Sequence, residues 1–182
     1  MNKISIYAII FIRIGEVIES ILNKKYLNSI MIIFGAFLVP CFLEQIINLG
    51  SYKQLIIGSI VNTSLLFYKG NKKVLVSMLP STASLCSGLL FTGLTKYSIL
   101  LIPFISFGNY LIMSINKNTL IDYIKSIVLK VGVIYLGFIL MSYLFNYPDK
   151  VRIVLSTSMG YYQLITASIG CLIYFIAKKK GE

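Results

Sequence analysis

Residues 27–49 read LNSIMIIFGAFLVPCFLEQIINL. As a helix rising 1.5 Å per residue, this stretch reaches about 34 Å, enough to cross the roughly 30 Å hydrocarbon core of a bilayer. Its only ionisable residue of note is Glu44, near the far end, and its only helix-bending residue is Pro40. A run of this length and polarity is read as a transmembrane helix rather than as a buried helix of a soluble domain.

Working outward, the same pattern recurs. Further apolar runs occupy residues 54–68, 74–95, 98–115, a fifth stretch ending near Phe145, and 152–177. Short polar or basic segments separate them: Gly50 to Lys53, Lys69 to Lys73, Lys96, Asn116 to Asn118, residues 146–150 around Pro148, and the closing Lys178, Lys179 and Lys180. Asp122 and Lys125 sit on an amphipathic first turn of the fifth run. The run at 54–68 is short and needs its flanks to complete a crossing. The chain of 182 residues is 57% hydrophobic, with a mean hydropathy of +0.84, against roughly 45 to 50% apolar residues in soluble domains. The expected fold is therefore an all-α integral membrane protein. It forms a single membrane domain over residues 1–182, a bundle of six transmembrane helices within 27–177, or seven if the first segment also crosses.

That first segment, residues 1–22, begins like a signal peptide, but Arg13, Glu16 and Glu19 interrupt the apolar run and no small-residue cleavage site precedes the next span. We expect it to be retained. The helical spacing of three groups these charges on one face, as an interfacial helix requires.

A formal net charge of +11 would point to nucleic acid in a soluble protein. Here the basic residues lie mostly between apolar runs, where they set orientation and meet lipid head groups, so no nucleic-acid partner is expected. With six spans from residue 27, ten basic residues (Lys24, Lys25, Lys69, Lys72, Lys73, Lys117, Lys125 and Lys178 to Lys180) share one side. Four (Lys53, Lys96, Lys150 and Arg152) share the other. The larger set belongs in the cytoplasm, which places the protein in the cell membrane with its C-terminus cytoplasmic.

The sequence contains no histidine, and its three cysteines, Cys41, Cys86 and Cys171, lie in apolar runs without a CxxC spacing. Zinc sites and serine-type triads lose their usual ligand and base. No metal, cofactor or catalytic residue is expected, and the chain is not read as an enzyme.

Placed by depth in this parse, the polar residues of the spans gather in the outer half. Glu44 and Gln45 lie near the outer end of the first span, Asn62 near the middle of the second, and Ser87 and Thr92 toward the outer end of the third. Ser156, Thr157, Ser158 and Gln163 occupy the outer half of the last. An intramembrane carboxylate such as Glu44 is either functional or a rim residue close to its turn. Asn62 and Asn109 serve either as interhelical glue or as ligand contacts. Tyr161 and Tyr162, beside Gly160, are placed to floor a pocket, whereas Tyr52, Tyr68, Tyr97 and Tyr147 read as an interfacial aromatic belt. Lys130 lies nearer the inner end of its span and is expected to snorkel inward. The expected ligand-binding set is Glu44, Gln45, Asn62, Ser158, Tyr162 and Gln163.

The segments QLIIGSIVN (54–62), LPSTASLCSGLLFTG (79–93), IPFISFGN (102–109) and STSMGYYQ (156–163) resemble the substrate-binding (S) components of bacterial energy-coupling-factor vitamin transporters. The resemblance runs from about residue 40 to the end. It implies a six-helix bundle with cytoplasmic termini that captures a vitamin-like small molecule from outside and docks on a transmembrane coupling protein shared with two ATPases. The sequence departs from that pattern in its first span, 27–49, which carries no clean Ala-xxx-Ala docking surface. No Walker A loop is present, so the chain does not energise transport by itself. Two other classes stand beside this reading: a structural, immunity or assembly membrane protein without a ligand, and a membrane-embedded enzyme pairing Glu44 with a tyrosine or lysine.

Overall fold

A computed structural model describes residues 32, 34–38, 52–86, 95–115 and 119–181. After a π-helical turn at Phe34–Leu38 come α1 (Tyr52–Phe67), α2 (Lys73–Cys86), α3 (Thr95–Ile99), α4 (Ile102–Ser114), α5 (Leu120–Leu144) and α6 (Asp149–Thr157). A second π-helical turn (Ser158–Tyr162) then leads into α7 (Gln163–Gly181). Among the described residues there is no strand.

Local chemistry sets the boundaries. Thr119 caps α5: its hydroxyl accepts from the Asp122 N–H at 3.3 Å while Asp122 Oδ2 accepts from the Thr119 N–H at 2.9 Å. This reciprocal capping box satisfies two otherwise orphaned donors. Asp122 thus sits in the first turn of the helix, where the fifth run was expected to begin. Pro103 falls in the first turn of α4, where its missing N–H costs nothing. The chain turns at Leu100 and Leu101, so the expected fourth span is two helices joined end to end. Pro80 sits inside α2 and has no N–H for the carbonyl four residues back. Hydroxyls crowd this turn: Ser81 donates to the Met78 carbonyl at 3.0 Å and Thr82 to that of Leu79 at 2.9 Å.

Three stretches are long and apolar enough to cross a membrane: Tyr97–Ser114, Leu120–Leu144 and Asp149–Lys179. Lys53–Phe67 is apolar but shorter, as its run length implied. Most of the expected first span, 27–49, and the segment 1–22 lie outside the described residues, as do Ser87 and Thr92. Where contacts fix direction, the helices alternate as a serial bundle requires. α2 and α4 run antiparallel, with Ser77 against Asn109 and Ser81 against Ser106. α1 and α7 run parallel, with Gly58 against Thr166, Asn62 against Gly170 and Phe67 against Tyr174.

Packing divides into two apolar clusters. One joins Val61, Leu65, Leu66, Ile112, Met113, Tyr123, Ala167 and Cys171 near the end that bears the 68–72 loop. The other joins Leu101, Ile134, Phe138, Tyr147, Leu155 and Met159 near the opposite end. Small residues let the helices approach. A Cβ on Gly170 would stand 2.6 Å from the Asn62 Cβ, and one on Gly108 would stand 2.9 Å from Ile134 Cγ1. The ring of Phe104 lies against Gly137.

The polarity of α5 is inverted relative to a helix of a soluble protein. Its buried face carries Ser126, Lys130, Gly137 and Ser142 among Tyr123, Ile134 and Phe138, while Leu120, Ile124, Val128, Leu136, Ile139 and Tyr143 are each 49% or more exposed. Water would reverse that arrangement; a hydrocarbon solvent favours it.

Tyr147 is buried rather than part of an interfacial belt. Its hydroxyl donates to the Tyr97 carbonyl at 2.9 Å, and its ring meets the Tyr97 ring edge-on, with 4.7 Å between centroids. Arg152 locks the same turn by donating to Ser142 Oγ at 3.2 Å and to the Tyr147 carbonyl at 3.3 Å.

Candidate functional site

Between the two apolar clusters lies a polar layer centred on Lys130. This lysine sits ten residues into α5, about 15 Å along the helix from Leu120. It does not snorkel: it is 2% exposed, and its Nζ donates to Asn62 Oδ1 on α1 and, at 2.7 Å, to Asn109 Oδ1 on α4. The depth explains the outcome, because the four-carbon stem is too short to reach either end of a 25-residue helix from there.

Both asparagines are 1% exposed, and each amide is held at both ends. Asn109 Nδ2 donates to the Ser77 carbonyl at 3.2 Å. Since a carbonyl only accepts, this bond orients the amide and turns Oδ1 toward the lysine. Asn62 Nδ2 donates to Thr166 Oγ1 at 3.2 Å, and Thr166 Oγ1 donates onward to the Gln163 carbonyl at 3.3 Å. Ser81 and Ser106, one turn along α2 and α4, share a hydrogen bond of 2.8 Å. Four helices, α1, α4, α5 and α7, thus meet through a lysine, two asparagines and a threonine, and α2 joins through a backbone carbonyl.

No carboxylate among the described residues belongs to this layer; the ionisable side chain that acts electrostatically on Lys130 is Cys171 on α7. The described residues contain two carboxylates, Asp122 and Asp149. Asp122 caps α5, and Asp149 pairs with Arg152 at 3.5 Å. An ammonium has three N–H donors. Two go to the asparagines, and no described residue takes the third.

Of the residues expected from sequence, Asn62 is at the centre of the layer, and Gln163 joins it through its backbone carbonyl. Ser158 and Tyr162 lie in the π-helical turn before α7, with Ser158 roughly 12 Å from Thr166 along the axis. They are half-buried and stand apart from the hydrogen-bonded layer. Tyr161 is 62% exposed and stacks edge-on against Tyr162, so it floors no interior site. Glu44 and Gln45 lie outside the described residues. Sequence reasoning expects Lys130 to snorkel and does not single out Thr166. The signal available was periodicity: Ser126, Lys130, Gly137 and Ser142, the polar and small residues of α5, share one helical face with Tyr123, Ile134 and Phe138, so the lysine belongs with the face that seeks other helices.

Compared with known protein families, characterised proteins and solved structures, the chain matches none.

Proposed function

We propose that this chain is a multi-pass protein of the cell membrane, with its C-terminus cytoplasmic, and that it acts as the substrate-binding subunit of a small-molecule uptake transporter. The observation that carries the reading is the Lys130 layer. An ionisable side chain at bilayer depth costs roughly 2.5 to 3.5 kcal/mol on insertion scales and marks substrate pathways and ion pathways more than ordinary packing. Here it is walled from the lipid by five chain elements and bordered on both sides by apolar clusters, the form of a site with a few oriented polar groups in an apolar setting. In this reading the ligand enters from outside, and energy comes from a transmembrane coupling protein with two ATPases.

A second reading, a structural or assembly protein without a ligand, draws support from the fact that both asparagine amides are fully committed within the chain, as interhelical glue would be. One experiment separates the two. The chain is purified from its native membranes under mild detergent, the accompanying proteins are identified, and the small molecules released on denaturation are analysed by mass spectrometry. A stoichiometric small molecule, with or without membrane-bound ATPases, supports capture; neither a molecule nor ATPases in repeated preparations supports the structural role.

A further inference from the structure

The charge on Lys130 is the part of the layer that its hydrogen bonds do not explain. Interhelical glue needs donors and acceptors in equal measure, and serine, asparagine or glutamine supplies them without a charge. This site instead turns two amide oxygens toward the nitrogen of a lysine that is itself 2% exposed, while both carboxylates among the described residues are engaged elsewhere. Of the described ionisable side chains, Cys171 on α7 is the one that acts electrostatically on Lys130; an opposite charge within hydrogen-bond distance of the ammonium is the strongest stabiliser available to it in a low-dielectric interior.

We infer that Lys130 is the seat of a small organic monoanion, a carboxylate, whose oxygen takes the third N–H of the ammonium. This rests on the capture reading and narrows the substrate class. The stoichiometry of charge selects a monoanion: one lysine neutralises one carboxylate, whereas a phosphate dianion would leave a net negative charge in a layer whose amide N–H groups already donate to Thr166 and to the Ser77 carbonyl. The surrounding apolar side chains, Val61, Ile112 and Ile134 among them, suit the hydrocarbon part of such a molecule.

Asn62→Asp tests the charge without knowledge of the natural ligand. The substitution keeps the side-chain shape and puts a carboxylate against Lys130. The Thr166 hydroxyl, which now accepts from the amide, can rotate to donate to the second oxygen, so no group is orphaned. The full chain in detergent is melted as wild type, as Asn62→Asp and as Asn62→Leu, with sodium benzoate or benzamide at constant ionic strength; the two probes share a ring and shape and differ in charge. The expected result is that benzoate raises the wild-type melting temperature by about 5 to 10 °C at a hundredfold excess over its Kd, and that benzamide does not. Asn62→Asp without ligand should melt above wild type and ignore benzoate. The inference is overturned if Asn62→Asp melts as low as Asn62→Leu, if benzamide matches benzoate, or if the wild-type chain is indifferent to both. It is overturned equally if Glu44→Gln makes the chain respond to benzoate where wild type does not, because the lysine is then matched within the chain. Failure here is distinct from failure of the capture reading. A neutral or cationic molecule released from purified protein leaves capture standing and removes the anion seat, and a benzoate response with no co-purified molecule does the reverse.

Discussion

Lys130→Met keeps the length and apolar stem of the side chain and deletes its donors. Asn62 Oδ1 and Asn109 Oδ1, each belonging to a residue that is 1% exposed, lose the group that both accept from. In soluble cores each orphaned group costs about 1 to 3 kcal/mol, but interhelical hydrogen bonds in membrane proteins average nearer 0.6 kcal/mol, because the separated helices also find partners. Two such losses, weighed toward the membrane value, give about 1 to 3 kcal/mol. For a chain of this size that lowers the melting temperature by about 2 to 12 °C. The measurement is loss of helix by circular dichroism at 222 nm during heating in mild detergent. Replacing the whole unit, Lys130→Met with Asn62→Leu and Asn109→Leu, removes the orphans together with their partner. The triple variant is therefore expected to recover most of the loss, as apolar replacement of buried polar clusters often does. A Lys130→Met chain as stable as wild type, or a triple variant falling further than the single, would refute the network as a source of stability.

Four further outcomes are expected. Gly137→Leu drives a side chain into the Phe104 ring and should cost about 1 to 3 kcal/mol, whereas Gly132→Ala, with open space around it, should gain about 0.4 to 1 kcal/mol; thermal melts of both decide. Lys72→Cys and Lys150→Cys, both at exposed positions, should differ in intact cells, with only position 150 reacting with an impermeant maleimide, and equal labelling would break the alternating topology. Asn62→Ala should lose ligand and stability together, since Asn62 also ties α1 to Thr166, so retention must be compared at a temperature where the variant remains folded. At Tyr147, burial and then the neighbouring Tyr97 push the phenol above its ordinary range. Its contribution is complete below about pH 10 and is lost as pH rises through the raised value, because the unfolded chain releases the proton first. Tyr147→Phe should cost roughly 1 kcal/mol at neutral pH and show a shallower fall in stability above pH 10.

Much of the helix order was legible from the apolar runs. The segments 54–68 and 98–115 and the fifth and last runs correspond to helices whose relative directions alternate as the parse requires. The interruptions were less legible, for a physical reason. Hydropathy registers a span from 98 to 115 as continuous, while the turn at Leu100 and Leu101 interrupts the regular helix without changing its polarity, and the π-helical turn at Ser158–Tyr162 leaves no mark in composition at all. At the candidate site, Asn62 stood out because an amide in hydrocarbon needs a partner. Lys130 was misread because depth was judged from its span's inner end, without weighing which face it shared. With Ser126 and Gly137 on that face, the lysine was bound inward. Ser158 lies eight positions before Thr166, a separation that carries it out of the layer, while Tyr162, four positions before Thr166, takes no part in the layer's hydrogen bonds and Gln163 enters it by its backbone carbonyl alone.

The central claim is that a small molecule is held at the Lys130 layer. Native mass spectrometry of the wild-type chain and of Lys130→Met, both released from membranes under the same mild conditions, tests it most directly. The account predicts a discrete added mass on the wild type, identifiable after release as a carboxylate, and its absence from a variant that still carries native helix content. An identical mass on both proteins, or a bare wild-type chain in every preparation, would contradict it.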